Sequence, residues 1–196
     1  MRTLTRVYDA YQQGRRAVED LERAGIAASK ISIVANKHAD ATYDTADEGT
    51  SATAVGTGLG ATLLGGAGLL AGLGLLAIPG LGPVVAAGWL ASTVLGIAAG
   101  AATGGLVGVF VDLGMSSDDA HVYAETVRRG GTLVSVQAAD AEVSKVEEIL
   151  DRLAPVDVTA RRSEYSKAGW REFDSKAPAY RPSNTEIEQI RREDTI

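Results

Sequence analysis

The chain has 196 residues, a length typical of one compact domain with or without an appendage. Its formal net charge of −6 argues against a nucleic-acid partner, because nucleic-acid binding normally requires a basic surface. It has no cysteine, which excludes disulfides, thiolate catalysis and cysteine-ligated zinc. Glycine is unusually frequent at 23 residues, and most of these lie in residues 49–111, the uncharged block, where no residue is charged.

The residues before the uncharged block predict a strand, a helix and a second strand. Short runs of strand-forming residues predict the strands, at 3–8 and 30–35. A helix is predicted over 12–24, because its apolar residues recur at helical spacing, and Gly25 follows it at a position that favours glycine. The N-terminal segment therefore predicts a β-α-β unit.

The residues after the uncharged block predict a related pattern. Ser116 is a suitable helix N-cap with Asp119 three residues on, and this helix is expected to stop at the Gly130–Gly131 pair. The remaining predicted elements are a strand at 132–138, a helix at 141–153 and a last strand at 156–160. Four strands in two β-α-β halves predict an α+β fold, a ferredoxin-like sandwich with the block inserted between its second and third strands.

These elements divide the chain into five segments. They are the first half of the sandwich at 1–38, an acidic linker at 39–53, the glycine-rich apolar hairpin at 54–111, a helix with the second half of the sandwich at 112–161, and a polar tail at 162–196.

The uncharged block predicts a helical hairpin. Proline and glycine are dense at its expected tip, which consists of Pro79, Gly80, Leu81, Gly82 and Pro83. Each arm beside this tip has about 25 residues, enough for a helix to cross about 30 Å of hydrocarbon. Because a hairpin this apolar would aggregate if exposed to water, we expect it to enter a membrane.

The flanks of the block leave a second arrangement open. They are acidic, no Lys/Arg cluster sets an orientation, and the block contains a single tryptophan, Trp89. A soluble homo-oligomer or compartment, whose hairpins bury one another, fits these features as well. Membrane lipid is the partner that we favour, with the soluble assembly as the alternative.

Small residues recur at every fourth position along the block. The second arm has Gly88, Ser92, Gly96, Gly100, Gly104 and Gly108, and the first has Gly56, Gly60, Gly68 and Gly72. This spacing lets two helices approach closely and is typical of helix–helix contacts. We therefore expect these residues to support helix packing and oligomerisation, and the spacing leaves open whether the partner is the other arm of the hairpin or another chain.

The sequence contains no constellation that predicts catalysis, a cofactor site or a metal site. Two G-x-G-x-x-A runs, at 56–61 and 72–77, lack the preceding strand and following acidic residue of a dinucleotide site. The acidic residues at 40–48 do not have the spacing of an EF-hand loop. His38 and His121 are isolated and are expected at the surface. The chain is therefore predicted not to be an enzyme.

The polar tail carries several aromatic residues. Trp170, Phe173 and Tyr180 are expected to dock, either on the domain of the same chain or on a protein partner. Ser183 and Glu186 form a capping box, which predicts a short terminal helix.

Residues 6–36 read RVYDAYQQGRRAVEDLERAGIAASKISIVAN, and the informative positions are Tyr8, Asp9, Tyr11, Ala17, Val18, Leu21, Ala24, Gly25, Ile31 and Ser32. This run resembles the opening of the bacterial general stress proteins of the heat-induced, YflT-like (general stress protein 17M-like) family. It continues at the hairpin tip, at Arg128–Gly131 and at Gly169–Tyr180. The resemblance implies a stress context and supplies no catalytic residues.

These observations together predict a non-enzymatic, self-associating general stress protein. The hairpin would enter the cytoplasmic membrane, with the domain and tail on its cytoplasmic face, and the function would be membrane protection or scaffolding. The alternative is a cytoplasmic soluble assembly.

Overall fold

The chain is a mixed α/β protein. A computed structural model describes residues 1–36, 74–78, 81–91, 105–177 and 180. The strands are β1 (Arg2–Tyr8), β2 (Ile31–Asn36), β3 (Gly74–Ile78), β4 (Gly82–Gly88) and β5 (Thr132–Ala138). The helices are α1 (Tyr11–Arg23), α2 (Gly105–Asp112), α3 (Ser117–Arg128), α4 (Val143–Asp151) and α5 (Val158–Lys167).

The strands form one sheet in the order β1-β5-β2-β4-β3, and every neighbouring pair is antiparallel. Strand β5 lies between β1 and β2, with Val136 opposite Leu4 on one side and opposite Ile31 on the other. The first two strands of the chain are therefore joined through a strand that comes about a hundred residues later.

Both faces of the sheet are covered by helices. On one face, Ile33 and Val134 belong to a buried cluster with residues of α1 and α4, such as Leu21 and Leu150. On the other face, Val34 and Leu133 share a cluster with residues of α2 and α3. All six residues of β2 are buried, because alternate side chains enter different clusters.

Most predicted elements outside the uncharged block are confirmed. Helix α1, strands β1, β2 and β5, and helices α3 and α4 begin and end within about two residues of their predicted positions. Ser116 caps α3, since its Oγ accepts a hydrogen bond from the backbone N–H of Asp119 at 3.1 Å. Periodicity and capping were sufficient for these elements because both signals are local.

The described centre of the block is a β-hairpin, which corrects the expectation of helix at 74–78 and 84–88. Strands β3 and β4 pair antiparallel from Gly74 opposite Ala86 to Ile78 opposite Gly82, on either side of the predicted tip. Strand β4 also pairs with β2, whose edge would otherwise lack a partner. An apolar run of residues does not distinguish a buried strand from a buried helix. Here residues 82–88 form a strand because the edge of β2 offers backbone hydrogen-bond partners.

Other parts of the predicted hairpin have different outcomes. Residues 105–111 are helical as expected, within α2. Residues 54–73 and 92–104 lie outside the described part of the chain, as does the acidic linker at 39–53. Among the residues that are described, none of the helices combines the length and the apolarity that crossing a bilayer requires.

The predicted last strand at 156–160 is corrected to the start of helix α5. Asp157 caps this helix, because its Oδ1 accepts from the backbone N–H of Ala160 at 2.9 Å. Only one backbone hydrogen bond, from Val156 N–H to the Val7 carbonyl at 2.8 Å, ties this part of the described chain to β1. The local cap therefore outweighs the strand preference of two valines and a threonine.

Candidate functional site

Few of the glycines predicted to pack helices fall within the described residues. Gly88 ends strand β4 with a φ of +87°, and a Cβ there would collide with the Ile31 carbonyl oxygen. Glycine is therefore required at position 88 by the local backbone conformation and by the closeness of β2. The expectation that Gly88 belongs to a row of small residues on a helix is thereby corrected. Gly108 lies in α2, where an added Cβ would meet no heavy atom within 4 Å. The other members are Gly56, Gly60, Gly68, Gly72, Ser92, Gly96, Gly100 and Gly104, all outside the described ranges.

The residues of the predicted tip are divided in the same way. Leu81 is fully buried in the cluster beneath α2 and α3, and Gly82 and Pro83 begin strand β4. Pro83 lies one residue beyond the last pair of β4 with β2, Val84 opposite Asn36, so its missing N–H removes nothing from that ladder. Pro79 and Gly80 lie outside the described residues.

The aromatic residues of the tail lie close to α3 and α5. Phe173 has 7% of its surface exposed and belongs to the buried cluster that includes Leu81, Leu90 and Phe110. The Trp170 ring meets the Tyr165 ring edge-to-face, with centroids 5.5 Å apart. The Tyr180 ring lies 5.4 Å from the guanidinium carbons of both Arg128 and Arg129. We call this region, α3 with residues 168–177 and Tyr180, the tail-docking site.

A buried carboxylate organises the arginines of the tail-docking site. The Glu125 side chain is fully buried and accepts from Arg128 Nε and Nη2, both at 2.8 Å, and from Arg129 Nε at 2.6 Å. The hydrogen bond to Glu125 raises the pKa of Arg128. Arg129 also stacks on Tyr165, 4.3 Å from its ring centroid. A buried carboxylate requires such partners, since an unpaired charge away from water is very costly.

Two further polar contacts join α3 to its neighbours. Asn36, at the end of β2, donates from Nδ2 to the Leu81 carbonyl at 2.9 Å and to the Arg128 carbonyl at 3.0 Å. Tyr165 of α5 donates from its hydroxyl to Thr126 Oγ1 at 3.2 Å. The end of β2 is thereby linked to Leu81 and to the end of α3, and α3 is linked to the middle of α5, through buried or partly buried hydrogen bonds.

His121 contacts the tail directly. Its Nδ1 accepts a hydrogen bond from the backbone N–H of Phe173 at 3.1 Å. An accepting Nδ1 carries no proton, so the imidazole is neutral in this arrangement, with its hydrogen on Nε2. The expectation that His121 is an isolated surface residue is corrected, because its side chain is half-buried and contacts a residue 52 positions later. No local signal in the sequence indicates this contact.

The described surface outside the tail-docking site has a groove between two helices. A groove of about 350 Å³ between α1 and α4 is lined mainly by charged residues. Within this lining, Asp20 pairs with Arg23 at 2.7 Å and Glu148 pairs with Arg152 at 3.2 Å. Within the described residues, no group of three His, Asp or Glu side chains could hold a metal ion.

Comparison with known proteins returned no match: no protein-family model matches the chain, and neither does a curated protein or a solved structure.

Proposed function

We propose that this chain is a non-enzymatic, self-associating protein of the general stress type. It would act at the cytoplasmic face of the cell membrane, where it would protect or scaffold the bilayer. The observation that carries this proposal is the uncharged block, in which no charged residue occurs from position 49 to position 111.

The uncharged block and the rest of the chain differ in their free energy of transfer from water into a bilayer. Leucine and isoleucine each favour insertion into a bilayer by about 0.3 to 0.6 kcal/mol, whereas one Asp, Lys or Arg opposes it by about 3 kcal/mol. The block is rich in the former and has none of the latter. The described helices outside it carry exposed acid–base pairs, such as Arg15 with Glu19 and Arg152 with Glu148, which belong in water.

The last part of the block has a side that other described residues do not cover. Val111 in α2 retains 40% of its surface exposed, and an added Cβ at Gly108 would meet nothing within 4 Å. Phe110 of the same helix is buried in the domain. Helix α2 is therefore anchored on one side and available on the other, which supports contact with lipid or with a second copy.

We further infer that the domain is a variant of the ferredoxin-like sandwich. Its β1-α1-β2 unit has β5 inserted between the two strands, which is the split β-α-β arrangement of that fold. The position of the fourth strand, beside β1, would be occupied by the segment that carries the Val156 to Val7 hydrogen bond. The uncharged block would then be an insertion that adds strands at the other edge.

Fractionation of expressing cells without detergent tests the membrane location. The protein should pellet with membranes, resist extraction with carbonate and require detergent for purification. Recovery in the supernatant after carbonate treatment would refute insertion into the bilayer.

Substitution of the regularly spaced glycines tests self-association. Gly100→Leu with Gly104→Leu should reduce the size of the oligomer, because leucine prevents the close approach of two backbones. The matched control is Ala98→Leu with Ala102→Leu, which adds leucine at the same spacing but off the glycine row. An oligomer of unchanged size in the glycine variant would contradict this role.

A soluble assembly is the second candidate, and one observation favours it. The described centre of the block is covered by protein: β4 pairs with β2, and Leu81, Val84 and Leu90 are buried. In this case the chain would remain in the soluble fraction without detergent, as one large species. The same fractionation therefore separates the two candidates.

A further inference from the structure

We propose that the outer edge of strand β3 is the surface through which two copies of this chain pair, so that their sheets continue into one another about a two-fold axis. Within the described part of the chain, β3 pairs on one side only, with β4, and it ends the sheet order β1-β5-β2-β4-β3. This inference names a surface for the self-association proposed above, and it rests on that proposed function.

The backbone groups of Leu75 and Ala77 point away from β4. In an antiparallel ladder, residue pairs that exchange hydrogen bonds alternate with pairs that do not. Ala77 lies opposite Pro83, which has no backbone N–H to donate, so we assign this pair as one without hydrogen bonds. Leu75 lies two residues before Ala77 and therefore has the same orientation. The N–H and C=O groups of both residues thus face the outer edge of the sheet.

The alternation of hydrogen bonds across the whole sheet leads to the same assignment. The Val7 carbonyl accepts a hydrogen bond from Val156 N–H at 2.8 Å, so the Val7 backbone faces away from β5. One row of paired residues crosses the sheet from this position, and it consists of Val7, Leu133, Val34, Ala86 and Gly74. Because bonded and non-bonded pairs alternate along this row, Gly74 exchanges hydrogen bonds with Ala86 and the next residue, Leu75, faces outward.

The opposite edge of the sheet, along β1, has features that oppose such pairing. Arg2 and Arg6 place charges on that strand, and Arg6 Nε donates to Asp151 at 2.7 Å. The outward carbonyl of Val7 is already bonded to Val156. Charged residues and covering segments are two ways in which proteins prevent the edges of their sheets from joining. Strand β3 has the sequence GLLAI, with neither a charge nor a proline.

The outward groups of β3 are complementary to themselves. When two β3 strands lie antiparallel with Leu76 on the two-fold axis, Leu75 of each copy lies opposite Ala77 of the other. Each of these pairs exchanges both of its hydrogen bonds, which satisfies all the outward N–H and C=O groups of Leu75 and Ala77. A two-fold dimer requires one patch that is its own complement, and the addition of a strand to an open edge is a common mode of protein recognition. The strands meet without repulsion between like charges, because residues 74–78 carry none.

A single cysteine tests this pairing and its register, because the chain has no cysteine of its own. In this register the two Leu76 Cα atoms would be about 4.5 Å apart, a separation that a disulfide can span. The two Ile78 Cα atoms would be about 14 Å apart along the strands, which no disulfide can span. Ile78→Cys is therefore the matched control for Leu76→Cys.

The full-length variants are oxidised with diamide, which takes up the two electrons and two protons that a pair of thiols releases as the disulfide forms. Leu76→Cys should be linked into a dimer at least about 10-fold faster than Ile78→Cys, because thiols held next to each other react faster than thiols that must collide. The reaction is followed as the loss of monomer on a non-reducing gel, in the cell fraction that contains the protein.

A substitution beside the cysteine tests whether hydrogen bonds at the edge hold the copies together. Ala77→Pro removes an N–H that faces outward, and leaves those that β3 directs at β4. Added to Leu76→Cys, it should slow the formation of the linked dimer by at least about 10-fold, because thiols that are no longer held together must collide. Ala77→Val keeps this N–H and should leave the rate unchanged within about two-fold.

Two results would overturn the β3 contact: equal rates for Leu76→Cys and Ile78→Cys, or a Leu76→Cys rate that Ala77→Pro does not reduce. The first comparison requires only the two cysteine variants, so it remains decisive if Ala77→Pro does not fold. The size of the wild-type protein separates this failure from a failure of the proposed function. An oligomeric wild type without faster linking of Leu76→Cys would refute the β3 contact alone, whereas a monomeric wild type would refute both the contact and self-association.

Discussion

The Glu125 carboxylate is a buried charge that two arginines share. Glu125→Gln keeps the size of the side chain and an oxygen acceptor, but removes the negative charge that Arg128 and Arg129 share. Breaking a buried ion pair by removing one partner costs about 3 to 5 kcal/mol. The Arg128 and Arg129 side chains are 15% and 26% exposed, so water can still solvate part of each guanidinium group when the carboxylate is removed. We therefore expect the free energy of unfolding to decrease by about 2 to 4 kcal/mol.

Urea denaturation measures this loss directly. With a typical slope for a small protein, the midpoint should decrease by about 1 to 2 M, and the slope itself should not change. Glu148→Gln is the matched control, because Glu148 also pairs with an arginine four residues on but is 75% exposed. That variant should change stability by less than about 0.5 kcal/mol. Equal effects of the two substitutions would refute the view that burial makes Glu125 important.

Three further predictions concern the sheet. Thr132→Val should increase the free energy of unfolding by about 1 kcal/mol in denaturation, because the buried Thr132 hydroxyl has no hydrogen-bond partner in the described structure; a loss of stability would contradict this. Gly88→Ala should reduce it by at least about 2 kcal/mol, since its φ is positive and the new Cβ would strike Ile31; near-neutral behaviour would show that the β4 turn can rearrange. Burial raises the pKa of Tyr8, so above pH 10, where an unfolded tyrosine ionises, the folded state should lose up to about 1.4 kcal/mol per pH unit from this group. Tyr8→Phe should remove this loss at high pH. At neutral pH it should reduce the free energy of unfolding by about 1 kcal/mol, because the hydrogen bond from the Tyr8 hydroxyl to the Leu150 carbonyl is lost. Stability that falls equally steeply above pH 10 in both proteins would contradict this prediction.

The tail-docking site could be predicted only in part. The sequence indicates that Trp170, Phe173 and Tyr180 are unusual in a polar tail, because large aromatic rings are unfavourable in water. It does not indicate what they meet. His121, which contacts Phe173, lies 52 residues before it in the sequence. Glu125 with Arg128 and Arg129 has the i, i+3 and i+4 spacing that usually forms ion pairs on a solvent-exposed helix face.

The sequence by itself determined the elements whose signals are local. Apolar periodicity and Gly25 define helix α1, and Ser116 with Asp119 defines the start of α3. The absence of charge from 49 to 111 is likewise a property of the sequence, and it indicates burial against lipid or protein without any structure.

The tertiary structure decided what depended on distant partners. Residues 82–88 are a strand because the edge of β2 supplies hydrogen bonds that an apolar run cannot specify alone. Glu125 pairs with Arg128 and Arg129 within one helical turn, but the Tyr165 and Tyr180 rings that lie against these arginines come from distant positions in the chain. Local sequence fixes the propensity of a segment, whereas its burial and pairing are set by the surfaces that the rest of the chain brings to it.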